Sequence, residues 1–225
     1  MQIFSPTTAK TEKSIKLGYL NLIIYFEPDA ITCPWATMGC MASCLANSGR
    51  LRVGNAKQYK SMRLDLWRNM PELFLKMLLI ELLSWNKIAI KRRLKIALRA
   101  NGTSDDYKLV KNIQSLCIKY DITNIIFYDY TKNPKPQTRV ENVHYTYSVN
   151  ENTTDEMFEE NIQAGPVSVV FRKHLPKTYK GYPVVNGDKH DLTFMYGRKK
   201  VIGLKAKGRA MYDQTGFVVD VAEGE

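Results

Sequence analysis

The chain has 225 residues, 44% of them hydrophobic, and 33 Lys or Arg against 22 Asp or Glu give it a net charge of +11. That is enough apolar material for a substantial core without disulfides, in one large domain or two small ones. The most apolar stretch, Leu73 to Ile90, is broken by Lys76, Glu81 and Lys87, against the run of about 20 apolar residues that a membrane span needs. The N-terminus lacks the basic start, apolar stretch and small-residue cleavage site of a secretory signal. A cytoplasmic protein with reduced thiols is therefore expected.

Residues 1–16 are polar and rich in Lys and Thr, and read as an irregular arm before a single α/β domain over 17–225. Leu17 to Phe26 suits a buried strand that delivers the chain to a cysteine-rich segment. From Ala36 to Gly49 small and apolar residues predict a short helix with Gly49 as its stop. Ala56 to Trp67 reads as a helix ending near Asn69-Met70-Pro71, and Glu72 to Trp85 as a second. In the latter, Phe74, Met77, Leu78 and Trp85 recur at helical spacing as core positions.

Lys95 to Ala100 is a predicted strand, ended by Asn101-Gly102. Asp105 to Tyr120 follows as a helix with Leu109, Ile113, Leu116 and Cys117 on its apolar side. Strands are expected at Asn124–Asp129, Val143–Ser148 and Val167–Arg172, with an acidic helix over Thr154–Gln163. Shorter strands are expected at Tyr182–Val185, Val201–Leu204 and Phe217–Val221.

Strands alternating with helices predict a mostly parallel α/β sheet. Seven or eight strands would fit a complete or incomplete β/α barrel, with an open α/β sheet as the alternative. The connections at 130–142 and 173–181 carry Pro and Lys but no helical pattern, a departure from the regular eightfold repeat.

The cysteine segment reads Thr32-Cys33-Pro34-Trp35-Ala36-Thr37-Met38-Gly39-Cys40-Met41-Ala42-Ser43-Cys44. If Cys40 and Cys44 share a helix, their i,i+4 spacing puts both sulfurs on one face, with Cys33 approaching from the preceding loop. Three thiolates can hold a [4Fe–4S] cube and leave one iron open, although the spacing matches no standard ferredoxin pattern. Cys117, mid-helix on the apolar side, reads as a buried structural thiol rather than a fourth ligand. Zinc is the rival: Cys40 and Cys44 form an x₃ pair that His144, His174 or His190 could complete.

Other polar groups follow predicted strands, where α/β proteins assemble ligand sites. In Asn101-Gly102-Thr103-Ser104-Asp105, glycine permits the turn, Ser104 is the expected helix cap and Asp105 complements the helix dipole. Asn101 and Ser104 are also candidate ligand-binding residues. Asp105, Asp129 and Lys132 are catalytic candidates, and Tyr130 a further ligand contact. Asp129 is expected either to handle a proton or to pair with Lys132 at the strand end. Asp188, His190 and Asp191 read as a surface turn before a metal or acid–base site, with Asp188 kept as a ligand contact. Lys205 and Lys207 close a strand and face an anion in the same reading.

Charge is concentrated: between Arg172 and Arg209 lie eleven Lys or Arg against Asp188 and Asp191, a local +9. That favours nucleic acid or a phosphate-bearing ligand as partner, or else a solvated basic surface. Neither a phosphate-binding Gly-x₄-Gly-Lys-Ser/Thr loop nor a dinucleotide Gly-x-Gly-x-x-Gly pattern accompanies it.

The blocks Thr32-Cys33-Pro34 with Cys40 and Cys44, Asn101 to Asp105, Tyr128 to Lys132, Tyr145 to Ser148, Val167 to Phe171, Gly187-Asp188, His190-Asp191 and Gly203 to Gly208 occur in this order. In that order the chain resembles the phage- and plasmid-encoded gene product eighty-eight family. The resemblance implies a bacteriophage protein without a defined reaction, working in the host cytoplasm, and its cysteine block implies a cluster site. A more distant likeness joins it to radical S-adenosylmethionine barrels, which also carry three cysteines in a loop after an early strand. S-adenosylmethionine enters as a ligand from that likeness alone. The usual Cys-x₃-Cys-x₂-Cys spacing is replaced here by x₆ and x₃, which counts against it.

Overall fold

The computed structural model describes residues 1–5, 9–52 and 54–221. Strands β1 (Tyr19–Ile23), β2 (Lys95–Arg99), β3 (Ile125–Thr131), β4 (Val143–Ser148) and β5 (Val167–Phe171) lie side by side in chain order, every pair parallel. The antiparallel hairpin β6 (Thr178–Tyr179) and β7 (Tyr182–Asn186) follows, then β8 (Val201–Lys205), which inserts between β5 and β7. The order is thus β1-β2-β3-β4-β5-β8-β7-β6, with β9 (Val218–Val219) also on β5. This is a mostly parallel α/β sheet, and it is open: among the described residues no pairing joins β1 back to the far edge.

The helices are α1 (Ala9–Ile15), α2 (Met38–Ala42), α3 (Asn55–Asn69), α4 (Pro71–Lys91), α5 (Tyr107–Lys119) and α6 (Asp155–Ala164). Phe74, Leu78 and Leu82 of α4 and Leu109 and Ile113 of α5 are fully buried, packed on Leu22, Ile96 and Leu98 of β1 and β2. The opposite face of this half-sheet is covered by Leu192 and Phe194, against Ala97 and Tyr128. A second core gathers Phe158 and Ile162 of α6 with Val167, Val169, Phe171 and Val201. Among the described residues no helix is long and apolar enough to cross a membrane.

Several expectations change. Residues 1–16 are not an irregular arm: α1 is helical, Ile3 and Phe4 are fully buried, and their N–H groups donate to the Glu81 carboxylate at 2.6 and 3.3 Å. Residues 6–8 of that arm, and Val53 and 222–225 of the expected domain, lie outside the described residues. Helix α4 runs six residues past Trp85, because no proline or glycine interrupts it before Lys91. Ser104 does not cap α5; Asp106 does, its Oδ1 accepting from Lys108 N at 2.9 Å and Leu109 N at 3.4 Å.

The two connections without a helical pattern differ from each other. Residues 136–138 form a single 3₁₀ turn, whereas 173–181 contain β6 and a two-residue hairpin loop. Lys180 and Gly181 both have positive φ, 48° and 79°, as the tight turns that match strand twist require.

One irregularity positions everything that follows. β4 pairs only with Val167 and Ser168, the first half of β5, whereas β9 pairs with Val170 and Phe171, the second half. Beyond the bond from Val149 N to the Ser168 carbonyl, 3.0 Å, the chain therefore leaves the sheet, and the C-terminal edge opens between β4 and β5.

Phe74 is fully buried and packs its ring 5.7 Å from Phe26 and 5.5 Å from Trp67. Phe74→Ala is expected to lower unfolding free energy by about 3–5 kcal/mol, read by chemical denaturation.

Candidate functional site

At the opened edge lies a cleft of about 550 Å³. Cys33, Cys40 and Cys44 form one side, and the strand ends of β2, β3, β4 and β8 supply the others through Arg99, Tyr130, Ser148 and Lys205. Asn101, Ser104, Asp105 and Lys132 line it as well, as do Asp188 and Lys207. The cleft so gathers the predicted cysteines and all the predicted polar residues except Asp129. Of the three histidines, none lines it: His144 packs on Phe194, His190 stacks on Tyr196, and His174 stands elsewhere. Cys117 is buried in the core against α4, as a structural thiol would be.

The cysteine loop is built by short-range bonds and then tied to distant ones. Asp29 Oδ1 accepts from Ile31 N, Thr32 N and Thr32 Oγ1, which folds the chain back before Cys33. The Thr32 carbonyl accepts from Asp105 N at 2.7 Å, and Cys33 Sγ lies 3.8 Å from the Thr103 carbonyl. Thr37 caps α2 by accepting from Cys40 N. Helix α2 ends at Ala42, so Cys44 is not on it: Cys44 sits at the start of the next 3₁₀ turn, extended at φ −58° and ψ 129°. The expected i,i+4 face therefore does not exist, and Cys40 and Cys44 reach the cleft from two different elements.

Two residues with no local signal hold this loop. Glu151, just beyond β4, accepts from Thr37 Oγ1 at 2.8 Å and from Gly39 N at 2.6 Å. Gly39 is pressed so closely that a Cβ there would stand 2.2 Å from Thr215 Oγ1 and 2.7 Å from Phe217 Cβ. Lys60 of α3, 1% exposed, donates to the Ala46 carbonyl at 2.7 Å and pairs with Glu27 at 3.0 Å. It fixes the chain just after Cys44.

All four cysteines are free thiols, and the three in the cleft are half-buried. Burial pushes Cys33 up to about 11, with the neighbouring Cys44 and Cys40 adding to the effect, and burial raises Cys44 as well. Thiolates here need a positive charge beside them. Among the described residues no three His, Cys, Asp or Glu are grouped to hold a single metal ion.

Asp105 turns its Oδ2 to Thr131 Oγ1 at 3.0 Å and Lys132 N at 2.8 Å, and burial raises its pKa. Asp129 stands behind the wall rather than in the cleft, 1% exposed. Its partner is Arg99, at 3.5 Å, and not Lys132. Its Oδ2 also accepts from Asn101 N and Nδ2, so it orients Asn101, whose own Oδ1 accepts from Ser104 Oγ and Asp106 N. Arg99 in turn stacks 4.4 Å over the Tyr130 ring. Asp129 thus acts through its neighbours.

The family model described as Gene product 88 matches residues 4–221. The chain belongs to this phage gene product family. Neither a curated protein nor a solved structure matches it.

Glu151→Ala removes both bonds from the cysteine helix. A loss of about 3 kcal/mol in unfolding free energy is expected, from about 1.5–3 kcal/mol for each hydrogen bond to a charged group. Burial pushes the Asp129 carboxyl up to about 7, against the pull of Arg99. The folded state therefore retains a proton that the unfolded chain releases near its ordinary value, so this group's contribution to stability falls as pH rises from about 4 to 7. Thermal melts should show wild type losing stability relative to Asp129→Asn across that window. A constant gap would refute the assignment.

Proposed function

We propose that the cleft holds a [4Fe–4S] cluster through Cys33, Cys40 and Cys44, in a phage protein that works in the host cytoplasm. The observation that carries this reading is the convergence of three free, half-buried cysteines, from two loops and a short helix, on one cleft. A four-iron cube takes one thiolate per iron, so its ligands need not meet at one atom. The reading rests on that shared cleft, since among the described residues no three His, Cys, Asp or Glu are grouped to hold a metal ion.

When bound, such a cluster supplies one-electron redox chemistry and an iron corner free of protein ligands. The chain's own residues do the rest. Glu151 and Lys60 fix the segments that carry Cys40 and Cys44. Lys132, whose charge favours the Cys44 thiolate, offsets part of the thiolate repulsion. Its ammonium has no carboxylate partner among the described ion pairs, and neither has that of Lys205, which also lines the cleft. Together they favour an anionic ligand, a nucleotide or other phosphate compound, while Asp105 holds or releases a proton beside it. In this reading the protein is an enzyme on an incomplete β/α barrel, a scaffold favoured by the chain order of β1 to β5. S-adenosylmethionine is a less favoured ligand, because the cysteine spacing differs from that of its usual enzymes.

The second reading is a non-catalytic redox or nucleic-acid-binding protein in which the centre, cluster or zinc, is structural. The local +9 between Arg172 and Arg209 favours it. Salt-sensitive nucleic-acid binding that weakens on neutralising Lys205 and Lys207 would support this version.

Anaerobic purification with iron and sulfide analysis tests the cluster. The expected result is about four iron and four sulfide per chain. Loading should be lost in each of Cys33→Ala, Cys40→Ala and Cys44→Ala and kept in Cys117→Ala. Full-occupancy zinc, no metal under anaerobic conditions, or undiminished iron in the three cleft variants would overturn the proposal.

A further inference from the structure

Beside the main cleft lies a smaller pocket of about 260 Å³. Asp105 and Asn101 line both cavities, so the two share a wall. No cysteine lines the smaller one, and its character is different. Trp35, Tyr107 and Tyr145 give it aromatic walls, and Lys111 and Arg139 bring two cations.

Arg139 is the decisive residue. It follows the 3₁₀ turn at 136–138, and its Nη2 donates to the Asn133 carbonyl at 2.6 Å and to Asn161 Oδ1. Its guanidinium carbon lies 5.8 Å from the Tyr145 ring and 5.7 Å from the Tyr147 ring. Its Nε is buried with no hydrogen-bond partner, and none of the described ion pairs includes it. Burial pushes its pKa down to about 10. The guanidinium is half-buried and gripped on one edge; the Asp105 charge favours it, but its buried Nε–H meets no acceptor, which is costly. An oxyanion bound beside it removes that cost, and a planar guanidinium is suited to carboxylate or phosphate.

We infer that this pocket is a subsite for a planar ring bearing an oxyanion, carboxylate or phosphate, with Arg139 as its principal counter-charge. Lys111 adds a second positive charge at the pocket wall, and the aromatic walls take the ring. The pocket has the space of roughly nine water molecules, enough for one ring with its anionic group. Asp105 on the shared wall carries the opposite sign, so the anion is directed to the Arg139 side and a donor on the ligand faces Asp105. None of this depends on a cluster in the neighbouring cleft.

Trp35 lines the pocket and reports on it by fluorescence. The purified full chain is titrated with benzoate, phenyl phosphate, benzamide and benzylamine, with Trp35→Phe identifying the responding ring and calorimetry as a second readout. Benzoate or phenyl phosphate is expected to saturate below about 10 mM and to bind at least about tenfold tighter than benzamide or benzylamine. Whichever of the two binds tighter distinguishes a carboxylate from a phosphate ligand. Arg139→Gln should abolish the preference for the anion while leaving benzamide binding unchanged, and Lys91→Gln, an exposed cation at the end of α4, should leave both unchanged. Equal binding of benzoate, phenyl phosphate and benzamide, tighter binding of benzylamine, or no saturation by any probe overturns the assignment. So does a preference that survives in folded Arg139→Gln or disappears in Lys91→Gln. If Arg139→Gln does not fold, the four-ligand series on the wild-type chain decides alone.

Discussion

The arrangement rests on one carboxylate. Glu151 leaves β4 where the sheet parts and accepts hydrogen bonds from Thr37 and Gly39, the first turn of the helix that carries Cys40. A five-residue helix has little stability of its own, since nucleation costs more than so few hydrogen bonds return. It persists because its N-terminal donors meet a charged acceptor and its glycine lets the backbone press against Thr215 and Phe217. The split of β5 between β4 and β9 is what makes room for it. The irregularity of the sheet and the placement of the cysteines are thus one feature. A regular ladder between β4 and β5 would close the edge and leave the cysteine segment nowhere to dock.

Behind the cleft, a second constraint runs through buried polar groups. Asp129 orients Asn101, Asn101 orients Ser104 and Asp106, and Asp106 both caps α5 and accepts from Trp67 of α3. A chain of satisfied buried bonds fixes loop shape more tightly than apolar packing does, because each broken link strands a desolvated partner. Asp105 is freed for the cleft by this division of labour. Its neighbour Asp106 takes the structural duty, and the Asp105 carboxylate turns to the β3 end instead.

The strands were legible because their signals are local. Alternating or continuous β-branched runs mark Val143–Ser148, Val167–Phe171 and Val201–Lys205, and the observed bounds agree to within a residue. The gathering of polar groups at strand ends was legible for the same reason: in parallel sheets, chain direction alone sends those residues to one edge. What was hidden depends on distance along the chain. Glu151 meets Gly39 across 112 positions, and Lys60 meets Ala46 from another helix, with no periodicity announcing either. The two-residue β6 is too short to have a pattern, and it exists only through the turn at Lys180 and Gly181. Choosing Asp106 over Ser104 as cap required knowing that Asn101 already binds the Ser104 hydroxyl.

Charge placement links the two cavities. In the main cleft Arg99 and Lys207 are answered by Asp129 and Asp188, whereas Lys132 and Lys205 have no carboxylate partner among the described ion pairs. In the smaller pocket Arg139 is likewise without one. Cations outside the described ion pairs therefore stand on both sides of the wall that Asp105 shares, and that wall carries a carboxyl raised by burial on which Lys132 and Arg139 act. Water would screen such charges cheaply on an open surface, but it does so poorly in half-buried clefts. Positive charge only partly offset in concave, partly apolar sites is an electrostatic cost to the folded chain. A bound anion would lower that cost, and this is the physical basis of the anionic ligand proposed for these cavities rather than for the exposed basic surface.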